Sequence, residues 1–185
     1  MNPQLFKIKN TRIYISTMIT IATLEDVLAL EKLINSAYRG ETSKKGWASE
    51  ANLLEGKRIT LDELKETIKN KENAILKYTE NNQIIGSVLL TNKGDKLYLG
   101  MLSISPELQN RGLGKKLLQE AEVHALSLGL PKIVMTVITI REKLIEWYNR
   151  HGYIDTGVRE PFLLNDYDTI ITDQHLEFVV LEKIL

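Results

Sequence analysis

Leu97 to Leu130 reads LYLGMLSISPELQNRGLGKKLLQEAEVHALSLGL, and the interpretation of this stretch decides the fold. An apolar run is halted near Pro106, a polar turn follows over Gln109-Asn110-Arg111-Gly112-Leu113-Gly114, and a long segment of helical period completes it. Proline cannot donate to a strand ladder, so a strand ends before it. The two glycines fall where the helix begins, and a helix start carries N–H groups with no intrahelical partner and a partial positive charge. Without side chains, Gly112 and Gly114 let phosphate groups approach those N–H groups, and Arg111 and Lys115 add positive charge beside them. Two rival motifs fail on single positions. The dinucleotide fingerprint needs a third glycine where Leu117 stands, and the Walker loop needs Ser or Thr after Gly-Lys, where Lys116 stands.

Downstream, Leu118, Ala121, Ala125 and Leu128 form the expected buried stripe of the helix, with Lys115, Lys116, Gln119, Glu120 and Glu122 toward water. Gly129 ends it, ahead of Leu130-Pro131. Ile133 to Ile138 is a continuous apolar run, as in a strand buried on both faces. A strand–helix–strand unit favours a right-handed parallel crossover, so this strand should run parallel to the central one. Ile140, Leu144, Trp147 and Tyr148 mark a further helix closed by Gly152, and two late strands are expected near 153–158 and 176–183, with loop between them.

Upstream, Ile19-Thr20-Ile21 is a short strand signal and a helix is predicted over 24–38, with Val27, Leu30, Ile34 and Ala37 on one stripe. Arg39 to Lys57 is a long connection containing three glycines and an exposed-looking Trp47, and connections of that length tend to carry function. Thr60-Leu61-Asp62-Glu63 is a capping box that opens a helix to about Lys69. Two β-rich runs, 74–79 and 83–91, are joined through Glu80-Asn81-Asn82, which suits a hairpin because Asn tolerates positive φ.

The 185 residues fit one domain, and 43% hydrophobic residues can build a sizeable core. Basic and acidic residues balance at 24 each, so no basic excess points to nucleic acid. The chain has no cysteine, which removes disulfides, thiolate metal sites and a cysteine nucleophile and fits a cytoplasmic setting. No metal spacing links His124, His151 and His175. No apolar run is long enough for a membrane span, and residues 1–17 lack a signal peptide's apolar core. They read as an N-terminal extension, with Met18 as an alternative start. The expected fold class is α+β (mixed α/β): one domain over 1–185, with a mostly antiparallel central sheet, one parallel strand pair and helices on both faces.

The order Gln-x-Arg-Gly-Leu-Gly at 109–114, after a strand and Pro106-Glu107 and before Lys-x-Leu-Leu, resembles the pyrophosphate loop of the GNAT (Gcn5-related) N-acetyltransferases. Leu144 to Tyr153, LIEWYNRHGY, is similar to that family's Leu-Tyr-x-x-x-Gly-Phe/Tyr block. More narrowly, Arg39-Gly40, Gly46-Trp47, Glu50, Leu53-Leu54 and the ending Phe178 to Lys183 resemble a bacterial subgroup without a defined substrate. The resemblance covers about Met18 to Leu185 and implies the GNAT fold, acetyl-CoA as cofactor and transfer of its acetyl group to a primary amine of a small molecule or peptide, by direct attack in a ternary complex. Many members carry Asn seven residues before the helix Tyr to reach the pantetheine arm. That position is Arg141 here, and Arg141 is expected to line the cofactor in its place.

Such a reaction must manage the proton of an amine of pKa ~10 and of a leaving thiol of pKa ~8.5. The resemblance assigns the acid to Tyr148. Stabilisation of the oxyanion is expected from backbone N–H groups at Leu102, Ser103 and Ile104 on the central strand, and cofactor contacts from Gln109, Asn110, Arg111, Gly112, Leu113, Gly114 and Lys115. Glu50 is the candidate base, with Glu41 as its rival in the same loop. Arg39 and Trp47 are expected to border the acceptor, Arg39 through a substrate carboxylate. Two other readings stay open: a non-catalytic acyl-CoA-binding module, which needs the glycine turn but not Tyr148, and an enzyme that acetylates protein lysines or N-termini, for which an acidic groove would speak. Exposed strand edges, the C-terminal one among them, leave room for a homodimer.

Overall fold

The computed structural model describes residues 17–185, so of the expected N-terminal extension all but Thr17 lies outside the described residues. Strand β1 (Thr17–Ile21) leads through a 3-10 turn at Leu24–Asp26 into α1 (Val27–Tyr38) and the short α2 (Gly40–Ser43). There follow β2 (Leu54–Glu55), α3 (Leu61–Lys69), β3 (Asn73–Glu80), β4 (Gln83–Asn92) and β5 (Leu97–Ile104). The chain continues through α4 (Leu113–Ser127), β6 (Lys132–Ile138), α5 (Glu142–Asn149), β7 (Ile154–Pro161), β8 (Thr169–Ile170) and β9 (Glu177–Ile184). Seven strands form a sheet in the order β1-β3-β4-β5-β6-β9-β7, and β2 and β8 make a separate two-stranded pair. β5–β6 is the parallel pair, and every other pairing described is antiparallel. The mixed α/β architecture is the one expected.

Local chemistry explains the element ends. Thr60 accepts from the Glu63 N–H at 3.3 Å while the Glu63 carboxylate accepts from the Thr60 N–H at 2.8 Å, the reciprocal capping box that starts α3. Asn81 and Asn82 take φ of 50° and 62°, the two left-handed residues a tight primed turn demands. On α4, Leu113, Leu117, Leu118, Ala121 and Ala125 are buried, but Leu128 is 45% exposed, against the expected stripe. The helix has already ended: Leu130 N–H bonds the Ala125 carbonyl and Gly129 N–H the Leu126 carbonyl, both at 3.0 Å, a Schellman stop that swings Leu130 inward instead.

Helices α4 and α5 cover one face of the sheet, where Leu97, Leu99, Leu117, Leu118, Ile133 and Tyr153 share a core. Helices α1 and α3 cover the other, where Val27, Leu30, Ile34, Leu64 and Ile75 pack together. The C-terminal strand β9 lies between β6 and β7, which corrects the expectation of an exposed edge there. The edge belongs to β7, whose residues are all exposed. The expected loop after it contributes β8, paired with β2 through Leu54↔Ile170 and Glu55↔Thr169.

Two irregularities open the sheet at its centre. β5 and β6 pair only at Leu97↔Ile133 and Tyr98↔Val134, although both strands run on for several residues beyond. Against β4, the register jumps from Leu89↔Gly100 to Ser87↔Ser103, so β5 carries one extra residue around Met101, whose φ is +47°. A bulge of this kind bends its strand and turns backbone out of the ladder. The sheet is thereby split between β5 and β6 at their C-terminal ends.

Candidate active site

Two cavities meet at that split. The first, of about 310 Å³, runs from the α4 N-terminus between α1 and α5 and is lined by Gln109, Asn110, Gly112, Leu113, Gly114 and Lys115 at one end. The second, of about 250 Å³, lies between the parted β5 and β6, with Arg39, Glu50, Arg58, Asp168, Phe162 and Phe178 among its walls. Tyr38, Leu102, Arg141, Leu144 and Tyr148 line both, so these five residues form the junction.

The floor of the first cavity is the start of α4. Its N-cap is Gly112, at φ +75° with no side-chain cap, so the N–H groups of the first helical turn keep no partner from a capping side chain. A Cβ added at Gly112 would meet nothing within 4 Å, which leaves the approach open. Gly114 has a different reason to be glycine. A Cβ there would stand 3.2 Å from two atoms of the Trp147 ring, so its absence lets α5 pack close to the α4 start. Arg111 is turned aside, its guanidinium 3.2 Å from the Glu80 carboxylate, which leaves Lys115 as the cation at this end of the cavity. Open backbone donors, a helix N-terminus and one lysine can receive an anionic group such as a phosphate, and the cavity leads from them to Tyr148.

Trp47 lies on this first cavity rather than the second. Its N–H donates to Gln109 Oε1 at 2.9 Å and its ring centroid sits 6.1 Å from that of Trp147. His151 also lines it, stacked on Trp147 at 4.4 Å with Nδ1 2.7 Å from the Trp147 carbonyl. Ile104 contributes to the wall. The Ser103 side chain does not: it is fully buried and donates back to the Met101 carbonyl at 2.9 Å.

In the second cavity, the expected carboxylate and arginines are joined to one another. Glu50, 7% exposed, accepts from Arg39 through one oxygen and from Arg141 Nη1 at 2.8 Å through the other. Arg39 reaches Asp168 at 3.4 Å with its second amino group, and Arg141 donates to the Ala48 carbonyl at 2.6 Å. Glu50 thus has both oxygens engaged, and the rival Glu41 is exposed and paired with Lys44. His175 is exposed. Among the described residues no group of three or more His, Cys, Asp or Glu side chains is placed to hold a metal ion, and no helix is long and apolar enough to cross a membrane.

At the junction stand two tyrosines. Tyr148 is 6% exposed, its ring against Trp147 and Tyr153. Burial pushes its hydroxyl far above the ordinary tyrosine range, so it stays protonated. Tyr38 donates to the Leu102 carbonyl at 3.2 Å, and burial pushes its hydroxyl up to about 12. Tyr38 and Arg58 escaped the sequence reading. Tyr38 follows Ile34 by one helical turn, a spacing that marks its face as inward, but nothing in the sequence singles out Arg58, which lies just past the 39–57 stretch.

Residues 30–153 match the family model described as the acetyltransferase (GNAT) family. Among solved structures, the chain is similar to the ribosomal-protein-S18-alanine N-acetyltransferase from Escherichia coli, with a TM-score of 0.70 and 12% identity over 91% of this chain and 94% of that one. It is also similar to the PaiA N-acetyltransferase from Thermoplasma acidophilum, solved in complex with coenzyme A, with a TM-score of 0.67 and 19% identity over 92% and 99%. A third is the spermidine/spermine N-acetyltransferase SpeG from Vibrio cholerae, with a TM-score of 0.63 and 18% identity over 91% and 92%. No curated protein sequence matches the chain significantly.

Proposed function

The chain belongs to the GNAT acetyltransferase family, and from that premise we propose that it transfers the acetyl group of acetyl-CoA to the primary amine of a small molecule, by direct attack within a ternary complex. The observation that carries this reading is the meeting of two cavities at Tyr148, one of them floored by the open start of α4. Acetyl-CoA supplies the activated thioester. The N–H groups of residues 111–115 receive its pyrophosphate, and Lys115 neutralises part of that charge. The Leu102–Ile104 backbone, displaced by the bulge, offers donors to the carbonyl oxygen as negative charge develops there.

Tyr148 is the proton donor to the departing sulfur. Burial holds the hydroxyl protonated, so it donates a hydrogen bond to the sulfur as negative charge develops there, and its proton passes to the sulfur as the attacking nitrogen gives up its own. Loss of the amine proton has a different support from the one expected. Glu50, clamped by Arg39 and Arg141, is a positioning residue that fixes the two guanidiniums. Three arginines against two carboxylates line the second cavity, and an excess of positive charge favours the neutral form of an entering amine. The same excess argues against a lysine-rich peptide or a polyamine as acceptor, so the protein-acetylating alternative has less support.

The test is calorimetric titration with acetyl-CoA followed by a coenzyme A release screen over amino acids, polyamines, aminoglycosides and peptides. Micromolar binding with acceptor-dependent release is the expected result. Failure to bind acetyl-CoA overturns the proposal, and binding with no release from any acceptor leaves the acyl-CoA-binding module in its place.

A further inference from the structure

Among the described residues, one cation of the second cavity has no ion-pair partner. Arg39 is shared by Glu50 and Asp168, and Arg141 by Glu50 and the Ala48 carbonyl. Arg58 makes no ion pair among the described residues. Its guanidinium lies over the Tyr38 ring, 5.4 Å from the centroid, an arrangement that holds the group in place without cancelling its charge. The backbone beneath it is pinned to α1: Asn35 Oδ1 accepts from the Arg58 N–H at 2.7 Å, and Asn35 Nδ2 donates to the Ile59 carbonyl at 2.9 Å. The Glu63 carboxylate is engaged by Thr60 and the Tyr167 hydroxyl. Tyr38 also carries its hydroxyl to the Leu102 carbonyl at the junction, so one tyrosine spans the gap between the free charge and the reaction centre. Opposite, Leu54, Ile138, Phe162 and Phe178 form an apolar wall, the two phenyl rings 5.1 Å apart.

We propose that the acceptor is a small amine with its own carboxylate and an apolar side chain, an apolar amino acid in chemical class, whose carboxylate is seated on Arg58. The inference rests on the acetyl-transfer reading and deepens it. Arginine suits the task because its planar fork can bind a carboxylate through two parallel hydrogen bonds. Arg39, the seat expected from the sequence, is not available for it, because both its amino groups face protein carboxylates.

The experiment compares the full chain on three matched acceptor series: leucine and phenylalanine, their uncharged amides, and the corresponding amines without the carboxyl group, with spermidine alongside. Acetyl-CoA affinity is measured first by calorimetry. The free amino acids should exceed their amides in kcat/KM by at least about tenfold, the worth of one charge-assisted hydrogen bond. Arg58→Gln should collapse that ratio toward one through KM for the carboxylated series, with the acetyl-CoA dissociation constant unmoved, and Arg58→Lys should restore part of it. If acetyl-CoA binds but amides, simple amines or spermidine are turned over better, or the carboxylated series is not turned over at all, this inference falls alone. If Arg58→Gln lowers both series equally, Arg58 is no carboxylate seat and the inference also falls. If acetyl-CoA does not bind, the acetyl-transfer reading falls and takes the inference with it.

Discussion

Replacing Glu50 by Gln separates a proton acceptor from a residue that holds two arginines. The substitution keeps the shape and one carbonyl oxygen but removes the charge that Arg39 and Arg141 share. The side chains of the three residues are only 6%, 8% and 11% exposed for Arg39, Glu50 and Arg141, so solvent replaces little of what is lost. Breaking a buried pair by removing one partner costs about 3–5 kcal/mol. Here Arg39 keeps Asp168 and Arg141 keeps the Ala48 carbonyl, so the expected loss is nearer one charged hydrogen bond, about 1.5–3 kcal/mol. In a chain of this size that corresponds to a fall in Tm of about 3–12 °C by thermal denaturation. The acceptor KM should rise as the arginines relax, while the pH profile of kcat keeps its shape. The opposite pattern, an unchanged Tm with kcat reduced by ~10²–10⁴ and a lost acidic limb, would refute the argument and make Glu50 the base.

Gly112→Asp should abolish acetyl-CoA binding in calorimetry, because it sets a negative side chain on a residue at φ +75° in the open approach to the α4 start; wild-type affinity would remove the pyrophosphate from that turn. Tyr148→Phe should lower kcat by ~10²–10⁴ with acetyl-CoA affinity and Tm preserved, since the ring contacts with Trp147 and Tyr153 survive; an unchanged kcat with chemistry rate-limiting would return the residue to core packing. Stability should fall at alkaline pH. Tyr38 is raised by burial from 10.0 to about 12, and burial moves Tyr148 and Tyr153 in the same direction. A raised folded-state value gives stability that is complete below the unfolded pKa and lost as pH climbs through the folded one. Urea midpoints should therefore hold level to about pH 9 and drop above pH ~10, as an unfolded tyrosine ionises at pKa ~10; a flat profile to pH ~11.5 would contradict the burial.

The order of elements was legible because it is written in local signals. Thr60 and Glu63, the Asn81-Asn82 pair, Gly129 and the halt at Pro106 each fix an end through their own backbone chemistry, and the apolar periods supply what lies between. The parallel pairing of β5 and β6 followed from the crossover rule. What the sequence could not carry were features made by distant partners. The place of β9 inside the sheet depends on where β7 folds back. The bulge at Met101 has no composition of its own, and the pairing of β2 with β8 joins two-residue strands with no periodic pattern. The candidate residues divide in the same way. The glycine turn and Tyr148 lie where their motifs direct, whereas the engagement of Arg39, Glu50 and Arg141 with one another spans separations of 11 and 91 residues. Charges that cancel pairwise in the fold look equally free in the sequence, so Arg39 and Arg58 cannot be told apart there.

The segment between α2 and β2 is the physical link between the two cavities. Gly46 sits where a Cβ would come within 2.5 Å of the Gln109 side-chain amide, so its lack of a side chain lets that amide lie against the loop. Trp47 N–H on Gln109 and Lys45 on Glu107 at 2.7 Å fasten its first half to the residues leading into α4. Its second half is fastened to the N-cap of α5, where Arg141 holds both the Ala48 carbonyl and Glu50. A displacement of Glu50 therefore moves Arg141 and the start of the helix that carries Tyr148, while a displacement of Gln109 moves Trp47 and its contact with Trp147. The long, glycine-rich connection is thus an ordered wall held by polar contacts at both ends, and its glycines serve close approach as much as freedom of the chain.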